Sequence, residues 1–90
     1  MNDYEELRRR GYSPKMCGTW HLLRAIEITR EAGRPLMMTK EVYPAIARYA
    51  QTTPAAVERS IRGSIARAEP GRTNAEVVRD VALGMRWNED

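Results

Sequence analysis

The strongest hydrophobic pattern along the chain lies between residues 44 and 67, where it has the spacing of α helices. Apolar residues recur every three or four positions in two groups, the first being Ile46, Ala47 and Ala50 and the second Val57, Ile61 and Ile65. Each group gives one helix a single apolar face that must pack against another element. The pattern therefore predicts two short amphipathic helices in succession.

A polar segment, Gln51-Thr52-Thr53-Pro54, separates the two groups. The Thr53 side chain can cap the second helix, and Pro54 suits the first helical position because a missing N–H costs nothing there. The turn is about three residues long, as a helix-turn-helix requires. Ala47 is a small residue at the point where the two helices would cross. We therefore predict a helix-turn-helix in this region.

The outward face of the second predicted helix combines small residues with two arginines, when the helix is projected at 100° per residue. The residues on this face are Ala55, Ala56, Arg59, Arg62, Gly63 and Ala66, with Glu58 at its edge. Small residues permit close approach to a partner, and arginine forks suit guanine edges or phosphates. Because a solvated helix can also carry two arginines, the pattern alone leaves both interpretations open.

The N-terminal part of the chain carries start and stop signals for two further helices. Asn2 can cap a first helix that ends at Gly11, and a second helix runs from Gly18 or Thr19 to about Ala32. These signals predict that two helices precede the helix-turn-helix.

The remaining signals complete a helical fold. Thr39 can cap a helical turn, and the proline after Tyr43 predicts a break or bend at that residue. Thr73 and Glu76 have the spacing of a capping box for a last helix, and Trp87 beyond it either covers the core or joins a dimer contact. No segment alternates as a strand does. We expect an all-α, compact bundle of about five helices that contains the helix-turn-helix.

Five stretches of the chain together match a known pattern. They are HLLRAI at 21–26, TKEVYPAIA at 39–47, TT at 52–53, VERSIR at 57–62 and TNAE at 73–76. This set resembles the C-terminal DNA-binding domain of the sporulation-initiation response regulators of spore-forming bacteria. The resemblance implies a regulator that binds double-stranded DNA at short boxes, as tandem copies or as a possible homodimer.

The chain departs from the family's pattern in two places. Only residues 69–72 separate the recognition helix from the last helix, where the family has a longer connection with a helix of its own. Ala56 and Gly63 stand where the family tends to have a basic residue and a histidine. The residues that match the recognition motif are Glu58, Arg59 and Arg62.

The predicted DNA-binding residues come from the turn and from the outward face of the second helix. They are Thr53, Ala55, Ala56, Glu58, Arg59, Arg62 and Gly63. We expect Arg59 to make a bidentate contact to a guanine edge, with Glu58 accepting from a cytosine amino group or orienting that arginine. We expect Arg62 to meet a phosphate.

The charge distribution supports a polyanionic partner. The chain has a formal net charge of +3. Between residues 44 and 72 there are five arginines and two glutamates, and acidic and basic residues balance elsewhere. The excess of positive charge therefore surrounds the predicted motif.

Length and composition bound the class of protein. Ninety residues with 42% hydrophobic content suit one domain, residues 1–90, and we expect a free-standing effector domain without a receiver domain. One cysteine, no long apolar run and no signal-peptide pattern predict a cytoplasmic protein.

The residues offer little for catalysis or for metal binding. Cys17 and His21 lie four positions apart, but the chain has no second cysteine or histidine to complete a zinc site. We expect a half-buried cysteine, a surface histidine, no catalytic residue, no metal site and no cofactor. The alternative to DNA reading is a protein-interaction module that keeps the fold and modulates a related regulator, for which Ala56 and Gly63 are the motivating residues.

Overall fold

The computed structural model describes residues 2–85, and helices account for most of them. The helices are α1 (Asp3–Arg9), α2 (Cys17–Ala32), α3 (Tyr43–Ala50), α4 (Pro54–Ala68) and α5 (Asn74–Leu83), with a π-helical turn at Met38–Val42. No strand occurs within residues 2–85. The prediction of an all-α bundle of about five helices is confirmed. The prediction for Trp87 falls outside the described residues.

Capping boxes start the first and the last helix, as the sequence predicts. The Asn2 side chain accepts the Glu5 N–H at 2.8 Å, and the Glu5 carboxylate accepts the Asn2 N–H at 3.1 Å. Thr73 and Glu76 make the same reciprocal pair, at 3.1 and 2.8 Å. Both boxes satisfy N–H groups that a helix N-terminus otherwise leaves unpaired.

Helix α2 is the central element of the bundle, because it packs against both α4 and α5 and also contacts α1 and α3. It begins at Cys17, just before the predicted start, and ends at Gly33, whose φ of 70° lies in the left-handed region. The apolar side chains of Leu22, Ala25 and Ile26 are fully buried. These side chains hold the helix-turn-helix against the rest of the molecule.

The crossing of α2 and α4 requires a glycine. A Cβ atom built at Gly18 would overlap the backbone carbonyl of Ser60 and the side-chain hydroxyl of Ser64. The φ of Gly18 is not in the left-handed region, so the requirement is for space and not for an unusual backbone conformation. The backbone of α2 therefore lies directly against α4 at this point.

A π-helical turn leads directly into α3. The break that the sequence predicts at Tyr43 is therefore a change from π-helical to α-helical geometry. The N–H groups of Val42 and Tyr43 bond to carbonyls five residues earlier, those of Met37 and Met38. Pro44 has no N–H, so widening the turn just before it costs no α-helical bond at that position. The helix changes from π to α geometry at Tyr43 and continues.

The prediction that Thr39 caps this segment is wrong. The N-cap residue is Met37, whose N–H donates to the Glu41 carboxylate at 2.9 Å. The Glu41 carboxylate thus makes the contact at the start of this turn that was expected from the Thr39 hydroxyl.

The turn between α3 and α4 agrees with the predicted helix-turn-helix. The Thr53 hydroxyl accepts the Ala56 N–H at 3.1 Å, and Pro54 is the first residue of α4. Gln51 ends α3 in the left-handed region with a φ of 57°, and within residues 2–85 it is the one residue other than glycine with positive φ. Ala47 is buried between the helices. The small residue and the short turn bring α3 and α4 together.

Ala50 was expected on the apolar face of α3, and that prediction is wrong. Ala50 is exposed, whereas Ile46 and Ala47 are buried. Because α3 ends at the next residue, Ala50 lies on its last turn and lines an open groove with Trp20 of α2.

A cluster of ion pairs joins the end of α1 to the end of α4 and to α5. Arg10 and Arg72 each contact both Glu69 and Asp80 at 3.0 to 3.4 Å. The Tyr12 hydroxyl donates to the second oxygen of Glu69 at 2.8 Å. This cluster fastens the C-terminal end of α1 to α5 and to the C-terminal end of α4.

Candidate nucleic-acid interface

Helix α4 has one fully buried face. Val57 and Ile61 are 0% exposed and Ile65 is 1% exposed, as their i, i+4 spacing predicts. Ser64 is also buried, on the side that meets Gly18. The burial pattern confirms the rotation of α4 that the sequence predicts.

The opposite face of α4 is open to solvent. We call it the exposed face, and its residues are Ala55, Arg59, Arg62, Gly63, Ala66 and Arg67. Ala56 and Glu58 are half-buried at its borders, and the exposed Thr53 precedes the helix. The structure therefore brings all of the predicted DNA-binding residues together along one side of α4. Arg67 was missed, although its spacing of four from Gly63 places it on the same side.

The two predicted arginines have different surroundings. The side chain of Arg59 has no hydrogen-bond or ion-pair partner within residues 2–85. The Arg62 Nε lies 3.2 Å from Glu58 Oε2, in an ion pair between successive turns. The Glu58 carboxylate therefore lies beside Arg62 in this structure, and its expected role toward Arg59 or a base stays a prediction.

Gly63 gives the exposed face an open centre. A Cβ atom at this position would meet nothing within 4 Å, and its φ is not in the left-handed region. Neither packing nor backbone conformation therefore requires a glycine there. Its effect is to leave room between the side chains of Arg59 and Arg67.

A groove of about 490 Å³ runs beside the exposed face, between α4, the π-helical turn and the start of α5. Glu58 and Arg62 line one side of the groove and Tyr43 lines the other. The buried Asn74 amide donates to the Tyr43 hydroxyl at 2.9 Å and to the Glu58 backbone carbonyl at 3.3 Å. Sequence reasoning gave Asn74 no role, because its partners are far away along the chain.

The comparison with known families agrees with this geometry. A family model described as sporulation initiation factor Spo0A C terminal matches residues 4–87.

The chain belongs to this family. The Spo0A C-terminal family consists of DNA-binding effector domains of sporulation regulators, and it is not an enzyme family. The resemblance predicted from the sequence is confirmed. A comparison with curated proteins gave no match.

In this member of the Spo0A C-terminal family, His21 supports α4 from behind the exposed face. Its Nδ1 lies 2.8 Å from the Ser60 hydroxyl, which itself donates to the Val57 carbonyl at 3.0 Å. Because that hydroxyl hydrogen is used, the geometry assigns the donor role to His21 Nδ1. Burial lowers the pKa of His21 below its usual value. His21 is therefore a half-buried residue at the edge of an open groove, less exposed than the expected surface histidine.

Cys17 also differs from its prediction. It is exposed and not half-buried, because it is the first residue of α2 and precedes the tight contact at Gly18. Across residues 2–85, no three residues of the kinds that bind metals come together as a metal-binding group. In the same part of the chain, no helix has the length and apolar character needed to cross a bilayer.

Proposed function

We propose that residues 1–90 form one domain that binds double-stranded DNA in a sequence-specific manner and regulates transcription. The observation that carries the proposal is the exposed face of α4, where small residues flank arginine side chains on the second helix of a helix-turn-helix. In such motifs the second helix lies in the major groove and contacts base edges. Regulation would follow from recruiting or blocking polymerase, and not from chemistry.

The surroundings of each residue support separate roles. Arg59 has no competing partner within residues 2–85, so its fork is available for the O6 and N7 atoms of a guanine. Arg62 reaches outward from a paired position, which suits a phosphate. Ala55 and Gly63 leave room for the bases, and the Thr53 hydroxyl hydrogen can donate to the DNA backbone while its oxygen caps α4.

The proposal includes more than one copy on the DNA. The resemblance to the family implies tandem or paired copies at short boxes. Sedimentation of the protein with a duplex that carries one or two selected sites would give the number of copies bound.

Selection followed by titration tests the proposed function. Duplexes that the protein retains would be selected from a random pool, and binding would be followed by fluorescence anisotropy at several salt concentrations. We expect the selected duplex to bind roughly 10³-fold or more tightly than a random one, and both affinities to fall as salt rises. A folded protein that binds both duplexes equally would contradict sequence-specific reading.

A protein-interaction module is the second candidate function, and two exposed aromatic residues favour it. Tyr49 is 83% exposed and Trp20 is 45% exposed, beside the groove between α2 and α3. Exposed aromatic residues are typical of protein interfaces. A cooperatively folded protein without any salt-dependent DNA binding would support this function in place of the first.

A further inference from the structure

We infer that His21 is a positioning residue for base reading, because it holds the N-terminal half of α4 in one orientation through the Ser60 hydroxyl. The inference rests on the proposed function, since it concerns how the exposed face of α4 is presented to DNA. His21 is half-buried and belongs to α2, so it acts through α4 and does not contact a base itself.

Two hydrogen bonds in series connect His21 to the backbone of α4. The His21 Nδ1 lies 2.8 Å from the Ser60 hydroxyl oxygen, and that hydroxyl donates to the Val57 carbonyl at 3.0 Å. The turn that they join also carries Arg59, the predicted reader of a guanine. A side chain of α2 thus holds the turn of α4 on which base reading would depend.

A backbone contact at the same residue of α4 complements these hydrogen bonds. A Cβ atom at Gly18, one turn before His21 on α2, would overlap the Ser60 carbonyl oxygen. This close approach sets the distance between the two helices, but packing contacts have little directional preference. A hydrogen bond is directional, so the bond between His21 and Ser60 sets the rotation of α4 about its own axis.

The rotation of α4 decides which atoms of a duplex Arg59 can reach. Arg59 is exposed and has no hydrogen-bond or ion-pair partner within residues 2–85, so the backbone of α4 is what directs it. Groups that read bases must be held within roughly 0.5 Å and 10–20° of the productive geometry. Attraction to phosphates tolerates larger changes, because phosphates are present along any duplex. Loss of the His21 bond should therefore weaken a selected duplex more than a random one.

The inference requires one tautomer of His21, which can be measured directly. Because the Ser60 hydroxyl hydrogen is used on the Val57 carbonyl, His21 must donate from Nδ1. Burial lowers the pKa of His21, so the ring is neutral at pH 7 and carries its single ring N–H proton on Nδ1. His21 is the only histidine in the chain, so its ring nitrogens give one set of signals in a long-range proton–nitrogen NMR spectrum. We expect Nδ1 to be protonated both in the free protein and with the selected duplex bound.

Two substitutions at His21 separate the hydrogen bond from the space that the ring fills. The amide nitrogen of asparagine lies as many bonds from the backbone as Nδ1, whereas that of glutamine lies as many bonds away as Nε2. We expect His21→Gln to lower selected-duplex affinity about three- to tenfold and random-duplex affinity less than about twofold. His21→Asn still donates to Ser60 and should keep both affinities within about twofold of wild type. The salt slope should not change in either variant, because no cation that meets a phosphate is altered.

Ser60→Ala tests whether His21 acts through the hydroxyl. This variant should reproduce the loss seen in His21→Gln, and the double variant should lose no more than either single variant. The matched control is Val81→Ala, which shortens a half-buried side chain of α5 beside α1. It should lower the melting temperature but leave the ratio of the two affinities within about twofold of wild type. Thermal melts show that each variant is folded at the temperature of the titrations.

Several results would overturn the inference. Protonation at Nε2 in place of Nδ1 would contradict the hydrogen bond itself. Wild-type selectivity in His21→Gln, or an equal loss in His21→Asn, would mean that the bond does not position α4 for reading. Additive losses in the double variant would separate His21 from Ser60, and an equal loss in Val81→Ala would reduce the effect to stability.

Failure of the proposed function is distinguishable from failure of the inference. A wild type that binds both duplexes equally, or binds neither, would remove the proposed function and the inference with it. A selective wild type whose His21→Gln variant is equally selective would remove only the inference.

Discussion

At the scale of single residues, Arg59 is the side chain best placed to read a base. It is exposed near the middle of α4 and has no partner within residues 2–85 that binding would have to displace. We predict that Arg59→Ala costs about 1–3 kcal/mol on the selected duplex and relaxes preference at one base pair. Arg62→Ala should instead weaken selected and random duplexes alike. Anisotropy titrations of both variants on both duplexes check the assignment, and an equal loss on all sequences from Arg59→Ala would refute it.

Gly63 permits a test of close approach that keeps the fold intact. We predict that Gly63→Glu stabilises the folded state by up to about 1 kcal/mol, because the site is open and glycine is a poor helix former. DNA binding should nevertheless fall sharply, since the new carboxylate lies one turn from both Arg59 and Arg67 and occupies the space that the duplex needs. Gly63→Ala is the control, and it should gain stability while keeping DNA affinity. Unchanged affinity in the glutamate variant would place Gly63 away from DNA.

At the scale of elements, the α2 to α4 crossing positions the proposed interface. We predict that Gly18→Ala destabilises the domain by about 1–3 kcal/mol or more, because the added methyl group meets backbone and not a flexible side chain. Denaturant unfolding monitored by circular dichroism measures this change. Gly63→Ala is again the control, since both glycines are helical and only Gly18 is enclosed. Wild-type stability in Gly18→Ala would show that the helices cross elsewhere.

The elements also show how far sequence reasoning reaches. Helix α4 and its two faces were predictable because every signal, from the Thr53 cap to the spacing of Val57 and Ile61, is local. The need for Gly18 was not predictable, since it depends on a backbone some forty residues away. Asn74 is similar, because its role arises only when Tyr43 and Glu58 come together. Ala50 was predicted to be buried but is exposed, because periodicity does not show how far along α3 the neighbouring helices cover its apolar face.

At the scale of the whole molecule, the cluster around Asp80 makes stability depend on pH. Burial alone would raise the pKa of Asp80, but hydrogen bonds from Arg72 and Arg10 hold it below its ordinary value. Hydrogen bonds from Arg9 and Arg10 lower the pKa of Glu6 to about 2. The unfolded chain therefore binds more protons than the folded one in acid, so this stabilisation is present above about pH 4 and is lost as the pH falls through the folded values.

We predict that the melting temperature falls slightly below about pH 6.5, where burial of His21 makes the unfolded chain take up a proton first, and then falls more steeply from about pH 5 toward pH 2. Asp80→Asn should reduce stability at pH 7 by about 1–3 kcal/mol, because it removes the negative charge to which both Arg10 and Arg72 donate. The same substitution should also make the fall in melting temperature at acidic pH less steep. Thermal melts from pH 7 to pH 2 check both effects. If the melting temperature of the variant falls as steeply in acid as that of the wild type, Asp80 does not cause the acid dependence.

Amide chemical shifts, measured by NMR as a selected duplex is added, test most directly whether the exposed face of α4 meets DNA. The account predicts that the largest changes fall on residues 53–67, and that the cluster around Arg10 and Asp80 changes little. Changes that concentrate on α1 and α5, with α4 unaffected, would contradict it.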